Sequence, residues 1–243
     1  MDANLYSQPR PLGWWRFILQ FVTVVFAYMA MSLPAVAVFG MGPLGLLLSV
    51  VGSMVGGLLV AWLWLRADRA LGEAWNLSAF RNGRRTMLVG FGSALGIVAW
   101  FTVGGMLLRA LGMPTPDVSI LMDGITSSPL MLAAWIVLVA WLAAGLGEEL
   151  LWRGFLMDRL LRLPGLRGQI WPVIIIQAII FGLPHIYQGW GGTILTGIIG
   201  LYLGWLRTRV GWTLLPLVLA HAGVDTVMML LGYAQKMGWV AAG

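Results

Sequence analysis

The sequence predicts an all-α fold, a polytopic transmembrane helical bundle of seven or eight membrane helices. Three observations predict it. Hydrophobic residues make up 60% of the 243-residue chain and charged residues only 10%, whereas a soluble domain carries about 25% charged residues. Mean hydropathy is +0.88. Most of the remaining charges fall between long apolar runs. A chain this poor in charge is expected to be covered mainly by lipid, where helices satisfy every backbone polar group internally. The length fits one compact unit, a single transmembrane domain over residues 1–243.

A bilayer core needs about 20 apolar residues per helix. The first span is expected at 14–39. Ala35-Val36-Ala37 resembles a signal-peptide cleavage site, but the apolar run exceeds the roughly 7–15 residues of a signal h-region. More spans follow, so an uncleaved first helix is expected. Further spans are read at 43–65, 86–108, 130–148 (running on past 148), 171–187, 191–206 and 211–231. A short re-entrant helix in the 112–129 loop would make an eighth element.

The connecting charges alternate. Arg10 and Arg16 precede the first span, and the 40–43 turn has no charge. Arg66, Arg69, Arg81, Arg84 and Arg85 fill the next loop, and the 109–129 loop holds one Arg and two Asp. Arg153, Arg159, Arg162 and Arg167 follow the fourth span; Arg207 and Arg209 follow the uncharged 188–193 turn. The positive-inside rule puts the N-terminus in the cytoplasm and Lys236 on the far side. The net charge of +6 is therefore read as topology signal and lipid headgroup contact, and no nucleic-acid partner is expected. The absence of cysteine excludes disulfides and thiolate metal sites. Gly52-Ser-Met-Val-Gly56, Gly92-Ser-Ala-Leu-Gly96 and Gly200-Leu-Tyr-Leu-Gly204 are patterns that let membrane helices approach closely.

The ionisable residues inside apolar stretches gather in the second half: Glu148, Glu149, Arg153, His185, His221 and Asp225. Such a group costs about 2.5–3.5 kcal/mol at mid-bilayer on the gentler insertion scale, so it needs a partner and marks a cavity or pathway. Glu149 and Arg153 are four apart with the acid first, the favourable order for a helical ion pair. Glu148 faces elsewhere and is the freer carboxylate. Pro184 precedes His185, so the chain is expected to kink there and turn the imidazole inward. His221 and Asp225 form another i, i+4 pair, in which the Asp is expected to accept from one ring nitrogen and orient the other.

Glu148-Glu149-x-x-x-Arg153, Phe181-x-x-x-His185 and His221-x-x-x-Asp225, in that order on successive hydrophobic segments, resemble the three motifs of the CPBP family (CAAX proteases and bacteriocin-processing enzymes, or Abi intramembrane proteases). The type II CAAX prenyl endopeptidases belong to it. The resemblance covers a motif-bearing core of about 130–231 and implies an intramembrane protease with a cavity open to the cytoplasmic side. It implies that Glu148 and His185 hold and deprotonate a water, that His221 and its i+4 partner stabilise the oxyanion, and that Glu149 and Arg153 brace the first motif. The implied partners are the bilayer and a membrane protein or peptide substrate, with or without a lipid. The CAAX branch usually has Asn where this chain has Asp225.

Two mechanisms fit these residues. In one, Glu148, His185, His221 and Asp225 hold Zn²⁺ with an open position, as the family's metalloprotease label suggests. In the other, glutamate activates water without a metal. The chain lacks His-Glu-x-x-His, and the metal-free reading is preferred. Two other classes compete with a peptidase: a proton- or cation-coupled transporter, and a non-catalytic scaffold or immunity partner.

The spans raise a conflict of depth. His185 lies about 14 residues from Trp171, roughly 21 Å along a helix, while Glu148 sits near the cytoplasmic end of its own span. The two meet only if the fourth helix continues through Arg153 towards Leu161, with Arg159 and Arg162 at the interface, or if the boundaries over 162–190 differ.

Overall fold

The computed structural model describes residues 11–240, so Arg10, one of the N-terminal topology charges, lies outside the described residues. Among them the chain is helical and contains no strand. The elements are α1 (Trp14–Ala30), α2 (Leu33–Phe39), α3 (Pro43–Ala67), α4 (Leu71–Ala74), α5 (Gly83–Ala110) and α6 (Ser119–Ile125). They continue with α7 (Pro129–Leu161), α8 (Ile170–Gly182), a 3₁₀ turn (Leu183–Gln188), α9 (Gly189–Arg209) and α10 (Leu215–Lys236).

Local chemistry sets several of these starts. Pro43 opens α3 and Pro129 opens α7, positions where the missing N–H costs no helical bond. Asn82 caps α5 by accepting from the Arg85 N–H at 2.9 Å, and Ser128 caps α7 by accepting from Met131 N–H at 3.1 Å. Each cap satisfies one of the orphan donors of a first turn.

Six stretches are long and apolar enough to cross a membrane: Trp14–Phe39, Pro43–Ala67, Gly83–Ala110, Pro129–Leu161, Ile170–Arg209 and Leu215–Lys236. The fifth stretch holds both segments read from the sequence as separate spans, 171–187 and 191–206. That stretch is a hairpin. Gly182 abuts Gly197, Gly200 abuts Ala178, and Gly204 abuts Ile174 and Gln177, so α8 and α9 run antiparallel. At Gly182 a Cβ would stand 2.9 Å from the Thr193 carbonyl oxygen; only glycine lets the legs come this close. The hairpin turns at Gly189, whose φ of 80° lies in the left-handed region.

Two of the three small-residue patterns serve such approaches. Gly52 and Gly56 seat α3 against Met31 and Ala27, and Gly200 and Gly204 seat α9 against α8. A Cβ on Gly92 or Gly96 would meet nothing within 4 Å, so the close approach expected of that pattern is not made within the chain.

The fourth membrane helix settles the conflict of depth. α7 runs 33 residues without interruption to Leu161, carrying Glu148 about 20 Å from its arginine-rich end at 1.5 Å per residue. Its middle, Trp135–Leu156, is wound as a π-helix. Glycines on this stretch admit its neighbours: Gly145 meets Ala222 of α10, Gly147 meets Met54 of α3, and Gly154 meets the Trp75 indole. The most extensive contacts join α5 to α10, α8 to α9, α10 to α7, and α1 to α3.

An ionic cluster fixes the far end of α7. Asp158, buried, binds both Arg159 and Arg162. Arg159 also reaches Asp68 at 2.7 Å, and Arg162 reaches Glu73 at 2.7 Å. Asp68 in turn accepts from Arg16 and Gln20 of α1. One network therefore ties α1, the 68–73 segment and α7 together. From sequence, Arg159 and Arg162 are placed at the interface without partners; the i, i+4 spacing of Asp158 and Arg162 is the signal that points to the pairing.

Candidate active site

The three motif segments converge. Glu148 and Glu149 lie on the π-wound part of α7, His185 lies in the 3₁₀ turn after α8, and His221 and Asp225 lie on α10. Convergence depends on α7 meeting α10 at glycine: a Cβ on Gly145 would stand 2.7 Å from the Cβ of Ala222, the neighbour of His221.

Glu149 and Arg153 are both fully buried and paired at 2.9 Å. The same Glu149 Oε1 accepts from His221 Nδ1 at 2.7 Å. This corrects the reading in which Asp225 orients His221. Asp225 Oδ2 stands 3.9 Å from the other ring nitrogen, Nε2, and Glu148 Oε2 also stands 3.9 Å from Nε2. A neighbour on a different helix, rather than the i+4 residue, fixes the ring.

His185 is oriented by its own turn. Its Nδ1 lies 3.1 Å from the Phe181 carbonyl oxygen. A carbonyl only accepts, so Nδ1 carries a proton, and in the neutral ring Nε2 keeps its lone pair. Phe181, which enters the sequence reading only as part of a motif, is the hub of the site. Its ring centroid is 5.4 Å from that of His185 and 6.2 Å from that of His221. The Arg153 guanidinium carbon sits 3.9 Å over its face, a cation–π contact that partly offsets the burial of the charge. Arg153 Nε and Nη2 and Glu149 Oε2 have no protein hydrogen-bond partner among the described residues.

Glu148 and His185 share the wall of a cavity of about 480 Å³. Its lining is otherwise mostly apolar, with Phe21, Val24 and Tyr28 from α1, Trp152 and Phe155 from α7, and Ile180 from α8. Three lining residues are surface-exposed: Met29, Leu183 and Pro184. The cavity therefore reaches the lipid-facing surface between α1 and the 3₁₀ turn. No sequence signal points to α1 as part of this wall.

The structure lends the metal reading no support. No three His, Asp or Glu side chains among the described residues group as a metal-ligand set. Glu149, the carboxylate closest to His221, is held by Arg153.

Residues 130–227 match the family described as type II CAAX prenyl endopeptidase Rce1-like. This segment belongs to the CPBP (CAAX protease) family. The CAAX-protease segment holds all three motifs and both histidines of the chain. The likeness supports an intramembrane CAAX-type endopeptidase in general terms, integral to the membrane, with a membrane-associated substrate. No curated protein and no solved structure matches the chain. The first three membrane-spanning stretches, α1 included, lie outside the CAAX-protease segment.

Proposed function

We propose that this chain hydrolyses a peptide bond within a membrane-associated protein or peptide, using a water activated by Glu148 and His185 without a metal. The observation that carries the reading is the shared cavity: one carboxylate and one imidazole, its Nδ1 held by a carbonyl, on the wall of an apolar chamber that meets the lipid. An apolar chamber of this size takes a hydrophobic peptide segment or a lipid group, in keeping with the prenyl endopeptidase description of the family. With the N-terminus cytoplasmic, the arginine-rich end of α7 faces the cytoplasm.

In the proposed reaction the Glu148 carboxylate takes a proton from water while His185 Nε2 accepts the other hydrogen bond of that water. The hydroxide adds to the scissile carbonyl carbon, and the carbonyl π electrons move to its oxygen. His221, held at Nδ1 by Glu149, turns Nε2 towards Glu148 and Asp225. Protonated on both nitrogens, it donates Nε2–H to the oxyanion, and Asp225 donates when it carries a proton. Such preorganised donors are usually the largest single contribution to rate. The intermediate collapses, the C–N bond breaks, and Glu148 returns its proton to the departing amine. Glu149 and Arg153 remain a buried brace.

The test compares membrane-protein and peptide termini in cells expressing the wild-type chain, Glu148→Ala or His185→Ala at matched membrane levels. New termini are expected with the wild type alone. Identical termini in all three strains, with a phenotype that survives the substitutions, would instead favour a non-catalytic scaffold.

A further inference from the structure

The cavity has walls of two origins. α7, α8 and the 3₁₀ turn lie within the matched segment, whereas α1 lies outside it. α1 contributes Tyr28, the only hydroxyl-bearing side chain on the lining. Among the described residues the Tyr28 hydroxyl has no hydrogen-bond partner in the protein. The ring is nevertheless closely held. At Gly57 of α3 a Cβ would stand 3.3 Å from Tyr28 Cδ2 and 3.4 Å from Tyr28 Cβ, with Leu151 of α7 behind it at 3.8 Å. One residue earlier, a Cβ on Gly56 would stand 2.7 Å from the Ala27 carbonyl oxygen. Two consecutive glycines thus let α1 settle on α3 and fix where the phenol stands.

A peptide segment drawn into an apolar chamber brings backbone N–H and C=O groups that water no longer serves, and each is costly if left unpaired. A phenol can donate to a carbonyl and accept from an N–H. We propose that Tyr28 is a substrate-positioning residue, whose hydroxyl bonds the backbone of the peptide in the cavity and holds the scissile carbonyl over Glu148 and His185. The proposal rests on the peptidase reading above. The fixed ring supplies the preorganisation that orientation requires.

The experiment uses the full chain in liposomes and a synthetic peptide spanning a terminus that appears only with the wild-type chain. Wild type, Tyr28→Phe, Gly57→Ala and Glu148→Ala are compared. Tyr28→Phe keeps the ring and removes the hydroxyl. It is expected to lower kcat about three- to tenfold, the size of one neutral hydrogen bond, with KM and the melting temperature at wild-type values. Gly57→Ala, which displaces the ring and spares the hydroxyl, is expected to lower kcat in the same direction. Wild-type kcat in Tyr28→Phe, or a change confined to KM, overturns the proposal. Cleavage that persists in Glu148→Ala overturns the Glu148-activated water on which this inference rests, and the inference with it.

Discussion

Glu149 Oε1 lies 2.7 Å from His221 Nδ1 across the α7–α10 contact, and the same oxygen receives the Arg153 guanidinium at 2.9 Å. The two adjacent glutamates therefore do different work. Glu149 is sealed away from the cavity, and Glu148 lines it. Removing the Glu149 charge strands a buried guanidinium, which costs about 3–5 kcal/mol. Glu149→Gln is expected to lose both stability and cleavage. Glu148→Gln is expected to lose cleavage alone. Melting curves of the two purified variants, beside a cleavage assay, separate these outcomes; equal melting temperatures would refute the division of roles.

Asp225 stands 3.9 Å from His221 Nε2, beyond hydrogen-bond reach, so removing its charge is expected to leave the fold intact. Asp225→Asn places an amide donor in the same position and is expected to keep cleavage. Asp225→Ala removes the donor and is expected to lower kcat about 10²–10³-fold, the usual size of a lost oxyanion contact. Steady-state kinetics of the pair checks this. A large loss in Asp225→Asn would mean that the carboxylate itself is required.

Gly145 sets the distance between the two motif helices. A Cβ there would stand 2.7 Å from Ala222 Cβ and 2.7 Å from the Ala140 carbonyl oxygen. Gly145→Val is expected to destabilise by about 1–3 kcal/mol, as overpacking does, and to separate Glu149 from His221. Gly96→Ala, with open space around it, is expected to change neither stability nor cleavage. Thermal denaturation and cleavage of both variants form the comparison.

Asp158 joins two arginines at the end of α7 and does not line the cavity. Asp158→Asn removes the carboxylate that the two guanidinium groups share and leaves them Asp68 and Glu73, and a loss of about 1–3 kcal/mol is expected. Molecules that remain folded are expected to cleave normally. A kcat measured per folded molecule, with the folded fraction taken from gel filtration, tests whether this cluster is structural.

Part of the site is legible without the fold. The Glu149–Arg153 pair follows from helix geometry, because residues four apart share a face whatever surrounds them. The continuation of α7 past Arg153 is one of two answers to the depth conflict, and its physical basis is the unbroken run to Leu161. Other features carry no such local sign. Arg159 and Arg162 read as interface charges because charge at the end of an apolar run ordinarily marks the headgroups; here both are buried. Asp225 is assigned to His221 from sequence because spacing offers only neighbours on the same helix.

By itself the sequence determined that the chain lives in lipid, that it is helical, and that its ionisable residues fall into three ordered motifs. These follow from hydropathy, run length and i, i+4 spacing, all local quantities. Only the tertiary structure decided that Glu149 rather than Asp225 holds His221, a partner 72 residues away. It also decided that α1 walls the cavity and brings Tyr28 to it. Both outcomes depend on how closely two helices can approach. That is fixed by glycines meeting particular side chains across the bundle, which no single segment encodes.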